Sequence, residues 1–108
     1  VNLKPLAGLT RLNRLNLSGN QIANIAPLKN LVQLERLNLI NNNISNIKIL
    51  AQMTELRWLG LNFNQITNLK PLMGLNNLEV LMLTGNPDLD DSEVEKLEEK
   101  FPNCTIEY

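Results

Sequence analysis

The sequence predicts an α/β solenoid. A parallel sheet of about five short strands forms one side of the stack, and a C-terminal helix plus strand closes it. Three observations predict this. Asn20, Asn42, Asn64 and Asn86 stand at a constant spacing of 22 residues, and self-similarity at a fixed period of this length marks a stack of repeats. The same aliphatic frame surrounds each of them. The frame then breaks at Asp88 and gives way to an acidic amphipathic stretch of helical period ending at Phe101-Pro102, which reads as a cap.

The first full frame is Leu9, Leu12, Leu15, Leu17, Asn20, Ile22, Ile25, Leu28. One period on, it reads Leu31, Leu34, Leu37, Leu39, Asn42, Ile44, Ile47, Leu50. The next is Met53, Leu56, Leu59, Leu61, Asn64, Ile66, Leu69, Leu72, and the last is Leu75, Leu78, Leu81, Leu83, Asn86. These define one domain, residues 1–108: a partial repeat over 1–8, repeats over 9–30, 31–52, 53–74 and 75–86, and a C-terminal cap over 87–108. One repeat cannot bury its own leucines; stacked neighbours can, so the core becomes a continuous column.

Each Leu-x-Leu, such as Leu15-Asn16-Leu17, alternates with period two and reads as a short strand with its leucines inward. The asparagine that follows carries donors and an acceptor on one amide, so a buried ladder of Asn20, Asn42, Asn64 and Asn86 can satisfy backbone groups of its own turn and the adjacent one. A second column, Asn2, Asn24, Asn46 and Asn68, reads as turn chemistry on the outer side.

The core L-x-x-L-x-L-x-x-N-x-I, extended by Ile22-Ala23-Asn24-Ile25-Ala26-Pro27-Leu28 and Ile66-Thr67-Asn68-Leu69-Lys70-Pro71-Leu72, resembles the 22-residue bacterial class of leucine-rich repeats found in internalins. The resemblance covers essentially the whole chain. It implies a right-handed leucine-rich repeat horseshoe segment with a concave parallel sheet and tight helical turns on the convex side. Pro5, Pro27 and Pro71, with Ile49 as the one replacement, independently argue against long helices there.

The two ends differ. Val1 to Leu6 matches only the tail of a repeat, with no polar cap before it, so Leu12, Leu15 and Leu17 are expected to leave one face open. Either the chain is part of a longer array, or a second copy or another domain covers that edge; an open strand edge recruits another chain easily. At the other end, Ser92 is the predicted N-cap of a capping box with Glu95. Val94, Leu97 and Phe101 share one helical face and should close the core, and Pro102 stops the helix. Phe101, Cys104 and Ile106 restore the leucine spacing, so Cys104-Thr105-Ile106 is expected as the fifth strand. The acids Asp88, Asp90, Asp91 and Glu93 suit a helix start and lack the spacing of a calcium loop. The Phe-Pro-Asn-Cys-x-Ile ending looks like a recurrent cap of the resembled family.

Composition narrows the function. Residues 1–86 carry eight Lys/Arg against three acids, and residues 87–108 two against eight. The basic part is too dilute, and too poor in aromatics, to predict nucleic-acid binding. No apolar run of about 18 residues predicts a membrane-spanning segment. There is no histidine, and Cys104 is the only cysteine. The usual general base, a His-based metal site and a Cys/His nucleophile are therefore missing, and the five glycines form no phosphate loop. No enzyme, no cofactor and no metal are predicted. A bacterial surface or secreted protein and a cytoplasmic one are both compatible with these residues.

Binding is expected on the concave sheet face, which repeat proteins use as an extended surface. Its outward columns are Arg14, Arg36, Trp58, Val80, Asn103; then Asn16, Asn38, Gly60, Met82, Thr105; then Ser18, Ile40, Asn62, Thr84, Glu107; with Asn13, Glu35, Arg57 and Glu79 flanking. The leucine positions barely vary between repeats, whereas these columns vary freely. The protein-binding candidates are Arg14, Asn16, Arg36, Asn38, Ile40, Arg57, Trp58, Gly60, Asn62, Val80 and Met82. Trp58, the only tryptophan, stands where the side chain faces outward. Trp, Arg and Met together are enriched at interface hot spots, and Gly60 is expected to leave a shallow recess beside it. Equally, Trp58 can lie flat over Arg36 and Val80 as a surface contact. The predicted function is a non-enzymatic module that binds a protein or peptide. The alternatives are a structural spacer or capping segment of a longer protein with no ligand of its own, and a homodimer joined through the N-terminal edge.

Overall fold

The computed structural model describes residues 1–108. Five three-residue strands, β1 (Arg14–Asn16), β2 (Arg36–Asn38), β3 (Trp58–Gly60), β4 (Val80–Met82) and β5 (Thr105–Glu107), form one parallel sheet in chain order. Between repeats the register is one period, pairing Leu15 with Leu37, Leu37 with Leu59 and Leu59 with Leu81. Each leucine column therefore points inward and each intervening column outward. The opposite, convex side is made of 3-10 turns at Lys4–Leu6, Ala26–Leu28, Lys48–Gln52 and Lys70–Leu72. Three of these carry a proline in their first turn, where a missing N–H costs nothing. The outer asparagines start them: Asn2, Asn24, Asn46 and Asn68 each accept the N–H two residues on at 2.9–3.0 Å, a local bond typical of this side chain.

The core is a column of 24 buried residues, all aliphatic except Met53. Leu34, Leu37 and Leu39 are fully buried, whereas Leu12, Leu15 and Leu17 in the first repeat are half-buried because only one neighbour stacks on them. Inside the turns, Asn42 Nδ2 donates to Leu39 O at 3.0 Å and Leu17 O at 3.1 Å, and its Oδ1 accepts the N–H groups of Asn20 and Ile22. Asn64 and Asn86 repeat both Nδ2 bonds and the bond from the isoleucine N–H, of Ile44 and Ile66, one and two periods on. One amide thus serves two consecutive repeats, and Leu39 O receives two donors, one per lone pair. Asn20 is exposed, and its Nδ2 donates only within its own turn.

The cap departs from expectation in two places. The helix α1 spans Asp91–Lys100, and its N-cap is Asp90, whose carboxylate accepts Ser92 N–H at 3.0 Å. Ser92 therefore lies inside the first turn, and Glu95 is exposed and makes no bond back to it. Asp caps as well as Ser. Starting earlier also lets Glu93 Oε1 accept Leu69 N–H across the last repeat boundary at 3.2 Å. Second, β5 lies two residues later in register than the leucine spacing implied: Leu81 pairs with Ile106, not Cys104, and Val80 with Thr105, not Asn103. The ten-residue helix consumes more chain than a 3-10 turn. A shift of two preserves which residues face inward, so Ile106 and Cys104 are both half-buried against the core, with Val94 and Leu97 fully buried and Phe101 packed beside them.

Candidate protein-binding face

β1 to β4 place Arg14, Arg36, Trp58 and Val80 in one outward row, and Asn16, Asn38, Gly60 and Met82 in the next. Arg14, Asn16, Arg36 and Arg57 are exposed, and Asn38, Ile40, Trp58, Asn62, Val80 and Met82 are half-buried. Arg36 Cζ stands 4.0 Å from the Trp58 ring centroid, a stacked cation–π pair. The Trp58 ring then folds down the strand over Gly60. A Cβ added at Gly60 would meet Trp58 Cη2 at 2.6 Å and Ile40 Cδ1 at 3.0 Å. The recess expected at Gly60 is therefore filled: Gly60 is buried beneath Trp58 and Ile40. The absence of a side chain there is what lets the indole lie flat on the sheet.

The charges on this face divide sharply. Arg57 Nη1 holds Glu79 Oε2 at 2.9 Å, and Arg57 Nε stands 3.8 Å from Glu35 Oε1. All three are more than half exposed, so these pairs add little stability. Asn16 Oδ1 accepts Ser18 N–H and Asn38 Oδ1 accepts Ile40 N–H, both at 3.0 Å. Gly60 cannot repeat that bond for Asn62, whose own Oδ1 is buried without a partner. Arg14, Asn16, Arg36 and Asn38 line one depression of about 320 Å³ together with Leu15. A larger depression of about 590 Å³ lies on the convex side, lined by turn residues including Asn46, Lys48, Asn68 and Lys70. Cys104 is half-buried, and burial pushes its thiol pKa up, which disfavours the thiolate needed for nucleophilic chemistry.

One residue of this surface was missed by column reading. Phe63 follows β3 by three positions, is 56% exposed, and adopts φ 58°. Its periodic equivalents Gly19, Asn41 and Gly85 also have positive φ, the left-handed conformation that glycine and asparagine tolerate best. The Phe63 ring lies over Gly85, where an added Cβ would collide with it. The signal was present: an aromatic residue in a column otherwise made of Gly and Asn.

A parallel sheet with an invariant aliphatic underside and a variable outer face defines a repeat solenoid. The family model of leucine-rich repeats matches residues 2–53 and 54–99, and the chain belongs to that family, whose repeats generally serve protein interaction. Among solved structures, it is similar to an internalin, inlF, of Listeria monocytogenes, with 34% identity and a TM-score of 0.90 over 98% of this chain and 31% of that one. It is similar to internalin C2 of the same organism at 33% identity and TM-score 0.74, over 82% of this chain and 44% of that one. The ectodomain of the Arabidopsis thaliana receptor kinase SOBIR1 matches at 33% identity and TM-score 0.65, over 74% and 47%. The chain thus spans less than half the length of each of these structures. No curated protein matches it.

Proposed function

We propose that this chain is a non-enzymatic interaction module that binds a protein or peptide on its concave sheet face, around Trp58. The observation that carries this reading is the Trp58–Arg36 stack. The fold keeps its core entirely aliphatic apart from Met53, yet it places its only tryptophan on the outward row, held flat by Arg36 and Gly60. A pre-oriented aromatic beside an arginine loses little conformational freedom on binding and matches the composition of interface hot spots. Ile40, Val80 and Met82 extend the apolar area around it, and Arg57, Asn62 and the remaining polar residues form its rim.

The test is selection of binding peptides from a random display library against this chain, with W58A as the comparison. Truncating an interface tryptophan is expected to weaken the selected peptides roughly tenfold or more, while the circular dichroism and urea midpoint of W58A stay close to those of the parent. Peptides that bind W58A as well as the parent would place recognition elsewhere. Unfolding of W58A would make Trp58 a structural residue.

A further inference from the structure

We infer that Arg14 and Arg36, with the amides of Asn16 and Asn38, form a carboxylate clamp, so that the partner presents an Asp or Glu side chain from an extended segment next to Trp58. This rests on the concave-face reading and adds the chemistry of the partner.

The first support is the placement of like charges. Arg14 and Arg36 are direct cross-strand partners in β1 and β2, and adjacent strands lie about 4.8 Å apart. Like charges directly opposite one another in a sheet repel. No carboxylate in the chain neutralises this pair; only Arg36 gains a partner, the Trp58 ring. The flanking carboxylates Glu35 and Glu79 both turn to Arg57, and no carboxylate lies within 4.0 Å of Arg14 or Arg36.

The second support is the direction of the neighbouring amides. Asn16 and Asn38 each spend their Oδ1 on a backbone N–H. Their Nδ2 groups form no bond within the chain and remain as donors. The depression these four residues line therefore offers free guanidinium and amide N–H groups and no carboxylate, and its two amide oxygens are each already engaged by a backbone N–H. That donor set suits an anionic oxygen pair and is poorly served by a neutral or cationic group.

Stacking sharpens the geometry. With Arg36 Cζ held 4.0 Å from the Trp58 ring centroid, the guanidinium is anchored against the indole while its N–H groups form no bond within the chain and stay available to a carboxylate, which arginine takes bidentately. A partner residue following the acid along an extended chain then meets the Trp58–Ile40 surface. The partner is an acidic–apolar segment.

The experiment is a titration of the isotope-labelled chain with the blocked tripeptide Asp-Glu-Asp and with its neutral counterpart Asn-Gln-Asn, at constant ionic strength. It is followed at all backbone amides and at Arg14 and Arg36 Nε–H, Asn16 and Asn38 Nδ2–H and Trp58 Nε1–H. Saturable shifts at these groups with the acidic peptide alone, weakened roughly tenfold or more in R14Q/R36Q, are expected. Absence of saturation, equal response to the neutral peptide, or shifts confined to Lys48 and Lys70 on the convex side would overturn the clamp. The display selection separates the two readings. Selected peptides that depend on Trp58 but show no enrichment in Asp or Glu leave concave binding standing and remove the clamp.

Discussion

Position 63 illustrates how single residues on this solenoid answer to two demands. The chain leaves each strand through a residue at positive φ, and three of the four repeats meet that with Gly19, Asn41 or Gly85. A left-handed conformation costs a residue with a Cβ about 1–2 kcal/mol, and Phe63 recovers part of that only by laying its ring over Gly85. Phe63 is the one aromatic residue among the three non-glycine residues at positive φ, and its exposed ring borders the face proposed to bind a ligand. Phe63→Asn, which copies Asn41, is expected to raise stability by about 1 kcal/mol in urea unfolding while weakening the peptides selected on the concave face. A loss of stability in F63N would show that the ring's packing on Gly85 outweighs the backbone strain. The leucine and asparagine columns were legible because packing leaves them no freedom. Phe63 was not, because a period search rewards what repeats and passes over the single departure. The fate of Gly60 was illegible for a related reason: spacing gives the direction of the Trp58 side chain but not the rotamer that folds it over its neighbour.

Among the elements, the cap helix is the one whose attachment depends on charge. Glu93 joins α1 to the last repeat by accepting Leu69 N–H, and it holds Lys96 Nζ at 3.3 Å. The Leu69 N–H, then Lys96, holds its carboxyl below the usual glutamate value, and the Ser92 N–H does the same for Asp90. A carboxylate whose folded pKa is depressed contributes stability that is present above its unfolded value and is lost as pH falls through the folded one. The gap in urea midpoint between the parent and E93Q, which keeps an acceptor for Leu69 N–H but carries no charge, is therefore expected to be open at neutral pH and to close below about pH 4. A gap unchanged by pH would mean that the charge of Glu93 does not couple to folding. That the chain ends in an amphipathic helix and a last strand was legible from Val94, Leu97 and Phe101. The helix start and the strand register were not. Asp90 and Ser92 are equivalent caps to a pattern reader, and a two-residue slip of β5 leaves the inward and outward faces unchanged. Only the three-dimensional length of α1 decides between the two pairings.

Over the whole molecule, stability follows from position in the stack, since each repeat touches only its neighbours. Leu59 lies between Leu37 and Leu81 in the sheet and is fully buried. Leu15 is the same residue type in the same column, pairs only with Leu37, and is half-buried. Removing Leu59 takes hydrocarbon from a site closed on both sides that cannot collapse, so L59A is expected to cost about 3 kcal/mol. L15A removes a side chain still partly in contact with water and is expected to cost about 1 kcal/mol. Urea unfolding measures both. Native-state hydrogen exchange supplies the spatial counterpart: amides of β2 and β3 are expected to exchange slowest and those of β1 to open first. The asparagine ladder predicts the same gradient by a separate route. Asn64 bonds backbone groups of two consecutive repeats, whereas the Nδ2 of Asn20 serves its own turn alone. Equal costs for L15A and L59A, with uniform exchange along the sheet, would require the stack to behave as one indivisible unit instead of a chain of neighbour interfaces. The unequal result would mean that Arg14, on the least protected strand β1, is held less firmly than Arg36 on β2, and that seating a ligand across both would cost more in ordering the first than the second.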